Sequence, residues 1–254
     1  MRLGHGLWLA IGTLSIFPAR VVRVDREVAG HAMALAPAVG LALGLVAGLP
    51  LLLPGPPLLL AALAVGLLAV LTRGLHLDGL ADLADGLGSG KPAADALDIM
   101  KKSDIGPFGV MTLVLTLAIQ VAAVADVGFA PFVTACVAGR LALTWACRAG
   151  VPAARPDGLG AMVAGTVRRP AVWLVTLVTL LGVAALALGV VFSNSEPVAW
   201  GVILLPLGLL AGLGAALLLL RHARRRLGGI TGDVLGALVE TATAAALVVY
   251  ATAG

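Results

Sequence analysis

The chain has 254 residues, of which 60% are hydrophobic and 12% charged, with a mean hydropathy of +1.07. That is more apolar than a soluble domain, and several runs reach the roughly 20 residues a hydrocarbon core requires, so a water-soluble fold is excluded. The net charge of +4 does not indicate nucleic acid, because aromatics make up only 4% and the basic residues are scattered at the ends of apolar runs.

Residues 3–18 are apolar behind Arg2 and end in FPAR rather than in a small-residue cleavage site, which predicts a retained interfacial or short membrane helix. Spans follow at about 31–53, 56–72, 106–125, 129–147, 171–192, 198–220 and 234–253, the first two parted only by the turn LPGPP. The fold class expected is therefore all-α: a polytopic membrane bundle of about seven helices forming one domain over residues 1–254. The 33 glycines suit close helix contacts, which also leaves a homo-oligomer open. Cys136 and Cys147 fall within an apolar run and read as small buried residues.

The basic residues sort to one side of this ladder. Arg20, Arg23 and Arg26 precede the first span, Arg73, Lys91, Lys101 and Lys102 follow the second, Arg148, Arg155, Arg168 and Arg169 follow the fourth, and Arg221, Arg224, Arg225 and Arg226 follow the sixth. The opposite connections around PGPP, DVGFA and SNSEP carry only Asp126 and Glu196. Lys/Arg bias places the basic connections in the cytoplasm and the C-terminus outside.

The connection 74–105 is the unusual one, since it holds Asp78, Asp82, Asp85, Asp95, Asp98 and Asp104 out of 13 acidic residues in all. On a helix, Asp78, Asp82 and Asp85 at i, i+4 and i+7 share a face, where their charges repel. Hard oxygen ligands crowded in this way suit Mg²⁺ and a phosphate-bearing substrate. A merely solvated polar face is the competing reading, weakened by the flanking Leu77, Leu80, Leu83 and Leu87. His76 lies about 160° from Asp78 on such a helix and joins the site only if Gly74 and Gly79 allow an irregular start. After Pro92, AADALDIMKK reads as an interfacial helix in which Asp98 and Lys102 pair at i,i+4, leaving Lys101, Ser103 and Asp104 to touch an anion or a metal.

The connection 148–170 offers Arg155 and Arg168 as phosphate clamps, although its arginines also serve topology. In the Gly-rich turn 227–233, Gly232 and its neighbours can present backbone N–H groups to a phosphate, while Asp233 reads by default as the cap of the last span. Glu240, two turns further and on the same face, is an intramembrane carboxylate and hence a candidate site residue, with a hydrogen bond to a neighbouring helix as the plainer role.

HLDGLADLADGLGSG, DIMKKSDIGPFGV, RPDGLGAMVAGT and GGITGDVLGALVE, in that order and between spans, resemble the cobalamin synthase family, the adenosylcobinamide-GDP ribazoletransferases. The resemblance extends from FPAR and APAVGLALG to the last span. It implies a multi-pass, inner-membrane, Mg²⁺-dependent transferase with cytoplasmic catalytic loops. Its substrates would be adenosylcobinamide-GDP and α-ribazole or the 5′-phosphate of α-ribazole, and its by-product GMP, with the lipid bilayer as surroundings. It places the acidic motif on His76, Asp78, Asp82 and Asp85, and the C-terminal motif on Gly232, Asp233 and Glu240. Chemistry then puts the metal on Asp78, Asp82 and Asp85, with proton acceptance by Asp85, Asp82 or His76. The order of charges at Lys101–Asp104 departs from the family's pattern, so individual roles there do not carry over. A CDP-alcohol phosphotransferase shares the D-x-x-D-G element but needs further Asp residues that this chain lacks, and a cation transporter would spread its carboxylates over several spans.

Overall fold

The computed structural model describes residues 2–20, 24–194 and 198–253, so Arg23 and Glu196 of the charge argument lie outside the described residues. In chain order the helices are α1 (Arg2–Leu14), α2 (Arg26–Ala34), α3 (Ala36–Ala47), a 3₁₀ turn (Leu49–Leu52), α4 (Pro57–Leu71), α5 (Leu75–Gly88), α6 (Ala93–Ile99), α7 (Pro107–Val127), α8 (Phe129–Ala146), α9 (Gly158–Val163), α10 (Arg169–Asn194), α11 (Val198–Leu227) and α12 (Gly232–Ala253). Among the described residues there is no strand, only isolated bridges, and the architecture is the all-α bundle expected.

Helices α7, α8, α10, α11 and α12 are each long and apolar enough to cross a membrane, and the bent pairs α2–α3 and α4–α5 raise the number to as many as seven. The two bends have different causes. Pro37, in the first turn of α3, supplies no backbone N–H, and the α2–α3 axis turns by 48° there. After α4, Arg73 (φ 56°) and Gly74 (φ 66°) both adopt the left-handed conformation and the chain turns by 88°. We read α4 as the crossing and α5 as a helix turned out of it. The connection 74–105 contains two helices, as the spacing of its aspartates and the AADALDIMKK stretch suggested, and Leu80, Ala81 and Leu83 give α5 an apolar side to bury.

Helix α8 is the axis of the bundle: 78% of its apolar window is buried, against 22% for α7 and for α10, which therefore face lipid. Small residues let its neighbours approach to backbone distance. A side chain at Gly40 of α3 would begin 2.7 Å from the Cys136 carbonyl oxygen, and one at Gly139 would begin 2.9 Å from the Val239 carbonyl oxygen of α12. Cys136 and Cys147 are buried and unbridged, as their surroundings in the sequence suggested. Helix α1, at 13 residues too short to cross, lies against α2 where Gly6 meets His31, and it leaves Leu3, Leu7 and Trp8 exposed.

The basic connections meet on one face and are tied to one another there. Arg26 donates to the Ala161 and Ala164 carbonyls, Arg155 to Leu97, Arg224 to Gly150 and Arg226 to Lys91. Asp95 belongs to this face and Asp126, at the far end of α7, to the other; both are exposed. In sealed vesicles of one orientation, a membrane-impermeant maleimide should label Asp95→Cys and Asp126→Cys from opposite sides. Labelling of both from the same side would contradict the order of crossings.

Candidate active site

The site is built where α5 crosses the head of α12. A Cβ on Gly79 would stand 2.8 Å from both the Cα and the carbonyl oxygen of Asp233, and one on Gly236 would stand 3.0 Å from the His76 carbonyl oxygen. The crossing is thus backbone on backbone. At its other end α5 is fastened to the head of α7 by Asp85, whose oxygens accept the N–H groups of Gly106 (2.7 Å) and Gly109 (2.9 Å), two of the orphan donors of a helix start. Helix α5 lies across the ends of α7 and α12 on the basic face, outside the spanning segments.

This anchoring separates Asp85 from the other aspartates of the motif. Asp85 is 8% exposed with both oxygens engaged, whereas Asp82 is half-buried and Asp78 exposed. A further carboxylate comes from elsewhere in the chain, Asp233 at the head of α12. Asp82 is pushed up to about 7 by its burial and then by the charges of Asp78, Asp233 and Asp85, with Arg155 acting in the opposite sense. The acidic group in space is Asp78, Asp82 and Asp233.

Asp233 is free to join because it is not the cap that it was expected to be. Thr231 holds that place: its hydroxyl accepts the Val234 N–H at 3.2 Å and also reaches Asp233 Oδ2 at 3.2 Å. Arg155 stands 3.8 Å from Asp233, brought there by the docking of residues 152–154 on the Gly-rich turn, where Ala154 N–H bonds to Ile230 O at 2.9 Å and Ile230 N–H to Pro152 O at 3.0 Å. Thr231 was missed in the sequence, although its position three residues before Val234 at the start of an apolar helix was a readable sign.

Two adjoining cavities open around these groups. One, of about 150 Å³, is lined by His76, Asp78, Gly232, Asp233 and apolar side chains that include Leu14, Met33 and Leu143. The other, of about 300 Å³, is lined by Lys101, Arg155, Asp157, Thr231, Gly232 and Asp233. Gly232 and Asp233 line both, so the two cavities meet at this turn. Ser103, Asp104 and Arg168 are exposed and line neither cavity. Helix α6 ends at Ile99, so Asp98 and Lys102 do not share a helical turn as expected.

Behind the cleft lie two buried polar pairs. The Arg140 guanidinium of α8 stands 3.4 Å from His76 Nδ1, and Gln120 of α7 donates to Glu240 at 2.8 Å. Glu240 takes the plainer of the roles considered for it, a bond between helices. An arginine has no acceptor, so His76 Nδ1 is the acceptor and the proton sits on Nε2.

Among the described residues no group of three His, Cys, Asp or Glu side chains converges closely enough to enclose an ion by itself. The cleft instead fits the habit of Mg²⁺, which binds one or two carboxylates and completes its octahedron with water and substrate phosphate oxygens. Arg155 and Lys101 add cationic donors on the same cleft.

Residues 6–251 match the family described as cobalamin-5-phosphate synthase. The adenosylcobinamide-GDP ribazoletransferase of Frankia casuarinae is 44% identical over 95% of this chain and 92% of its own length. The protein of that name from Nocardioides sp. is 40% identical over 95% and 96%, and the one from Syntrophobacter fumaroxidans 42% over 80% and 79%. No solved structure matches the chain.

The shift on Asp82 has a consequence for stability. Without metal the folded chain holds a proton on Asp82 from 3.8 up to about 7 that the unfolded chain has released, so this group lowers stability as pH rises through that window. In metal-free detergent solution Asp82→Asn should melt above the parent at about pH 8, and the difference should shrink as the pH falls towards 3.8. Equal melting temperatures at the higher pH would mean that burial and the neighbouring carboxylates do not hold the proton on Asp82.

Proposed function

The chain belongs to the cobalamin-5-phosphate synthase family, and from that membership we propose that it transfers the cobinamide phosphate of adenosylcobinamide-GDP to α-ribazole or its 5′-phosphate, with release of GMP. The observation that carries this reading to particular residues is the gathering of Asp78, Asp82 and Asp233 beside Arg155 at the crossing of α5 and α12. A ribose hydroxyl attacks the phosphorus that bears the cobinamide, the diphosphate bridge breaks, and GMP leaves with the bridging oxygen. Such a reaction asks the protein mainly for positioning and charge neutralisation.

Asp78 and Asp233, one on each helix of the crossing, would hold Mg²⁺. There it would supply charge neutralisation to the diphosphate and to the leaving group. Arg155 and Lys101 bind phosphate oxygens; Arg155 Nε, buried and without a partner among the described residues, is a donor still to be used. Asp82, the carboxylate of this group not assigned to the ion, would take the proton of the attacking hydroxyl. His76 is unsuited to that step, because its Nδ1 faces Arg140 and its Nε2 carries a proton; it serves as a hydrogen-bond donor to the cleft. Asp85 acts through α5 rather than on the substrate. The basic face is the cytoplasmic one, in the inner membrane, which opens the cleft towards soluble substrates.

The CDP-alcohol phosphotransferase and transporter readings lose their ground. Relatives matching 95% of the chain carry the ribazoletransferase name, and the intramembrane Glu240 is committed to Gln120.

Purified protein given adenosylcobinamide-GDP, α-ribazole and Mg²⁺ should release GMP. Asp82→Asn should lower kcat about 10²–10⁴-fold while Mg²⁺ still raises the melting temperature. Asp78→Asn and Asp233→Asn should lose both turnover and that rise. An unchanged Mg²⁺ response in both of the latter would remove the ion from this crossing.

A further inference from the structure

On the same face, where α8 and α11 end and α10 begins and away from the acidic cleft, three arginines gather near Gly150. Arg224 donates to the Gly150 carbonyl at 3.3 Å, and Arg169 Nη2 lies 3.5 Å from where a Cβ on Gly150 would stand. Two residues earlier, Arg148 sits with its guanidinium 5.5 Å above the Trp145 ring and donates to the Trp145 carbonyl at 2.6 Å. Burial and then the charges of Arg224 and Arg169 lower the pKa of Arg148, so the guanidinium groups are near enough to oppose one another. Among the described residues no carboxylate stands within ion-pair distance of any of the three. Long side chains with like charge spread apart in water. Here Arg148 and Arg224 are held instead by carbonyls and a ring, with Arg169 beside them, in an arrangement that an anion would complete.

The surroundings say which anion. Trp145 packs edge-on against Trp173 at 4.9 Å and bonds through Nε1 to Thr176 at 3.0 Å, which fixes a pair of indoles at the level where aromatic side chains meet lipid headgroups. Directly beyond Arg169 along α10, Trp173, Leu174, Leu177, Val178 and Leu181 are all more than half exposed, an apolar surface that in a spanning helix is covered by acyl chains. A soluble phosphate has no use for that surface, whereas a lipid uses both parts of it. We propose that Arg148, Arg169 and Arg224 bind the phosphate of an anionic phospholipid headgroup whose acyl chains lie along the outer face of α10. The site neither depends on the transferase reading nor shares a residue with the cleft.

The test uses the full chain in detergent, with short-chain phosphatidylglycerol, phosphatidylcholine of the same chain length and inorganic phosphate as probes. Melting temperature and lipid retention in native mass spectrometry are the readouts. Phosphatidylglycerol should stabilise the parent and be retained, phosphatidylcholine should do neither, and inorganic phosphate should not displace the retained lipid. Arg148→Gln/Arg169→Gln/Arg224→Gln should bind phosphatidylglycerol at least about tenfold more weakly, while Arg225→Gln, the same loss of charge at the end of the same helix α11, should bind as the parent does. Because Arg148 also ties down the end of α8, Arg169→Gln/Arg224→Gln is the second variant, with a smaller loss expected. Equal effects of the two lipids, displacement by inorganic phosphate, or unaltered binding in the double variant would overturn the proposal.

Discussion

The site depends on one contact, the passage of α5 over the first turn of α12 with no side chain between them. Gly79 over Asp233 and Gly236 against His76 bring two segments more than 150 residues apart in sequence to backbone distance, where Asp78 and Asp82 can act with Asp233. The second fastening, Asp85 on the N–H groups of α7, keeps α5 from rolling about that point. Together they turn a motif that on its own is three repelling carboxylates on one helix into a cleft with walls from α5, α12 and the connection 148–170. The like charges at that crossing cost stability, so the fold tolerates them only because backbone contacts and the Asp85 bonds hold both helices in place.

Beneath the crossing, the bundle carries polar groups where the surroundings are least polar. Arg140 lies in the most buried helix of the chain and reaches His76, and Gln120 and Glu240 join α7 to α12. Buried ionisable groups in a membrane are held by partners or not at all. Here the partners connect the helices that present the cleft. Arg140 also settles the tautomer of His76, a role of the kind that a residue one layer behind a site performs.

Much of the fold was legible in the sequence. Apolar length gave away the crossings, LPGPP marked the boundary between α3 and α4, and the one-sided arginines identified the face on which the connections meet. The helical spacing of the aspartates in α5 was legible too. Which of them face the cleft was not, because i, i+4 and i+7 places Asp78, Asp82 and Asp85 on one face without saying what lies opposite each. Asp85 meets the head of α7 and Asp82 feels the charge of Asp233, and both facts follow from where α5 docks, a tertiary choice made by Gly79, Gly106, Gly109 and Gly236. For the same reason Asp233 read as a cap: a local pattern offers Thr231 and Asp233 almost equally, and only the bonds formed tell them apart. The bend at Arg73 and Gly74 likewise needs backbone angles, although a glycine there was a sign that the chain could turn.

Whether the reacting diphosphate is held at the crossing of α5 and α12 can be seen in an electron cryomicroscopy map of the protein with a non-hydrolysable donor analogue and Mn²⁺ in place of Mg²⁺. Density for the ion is expected between Asp78 and Asp233, with diphosphate oxygens beside Arg155. A diphosphate bound elsewhere on the basic face, with this cleft empty, would contradict it.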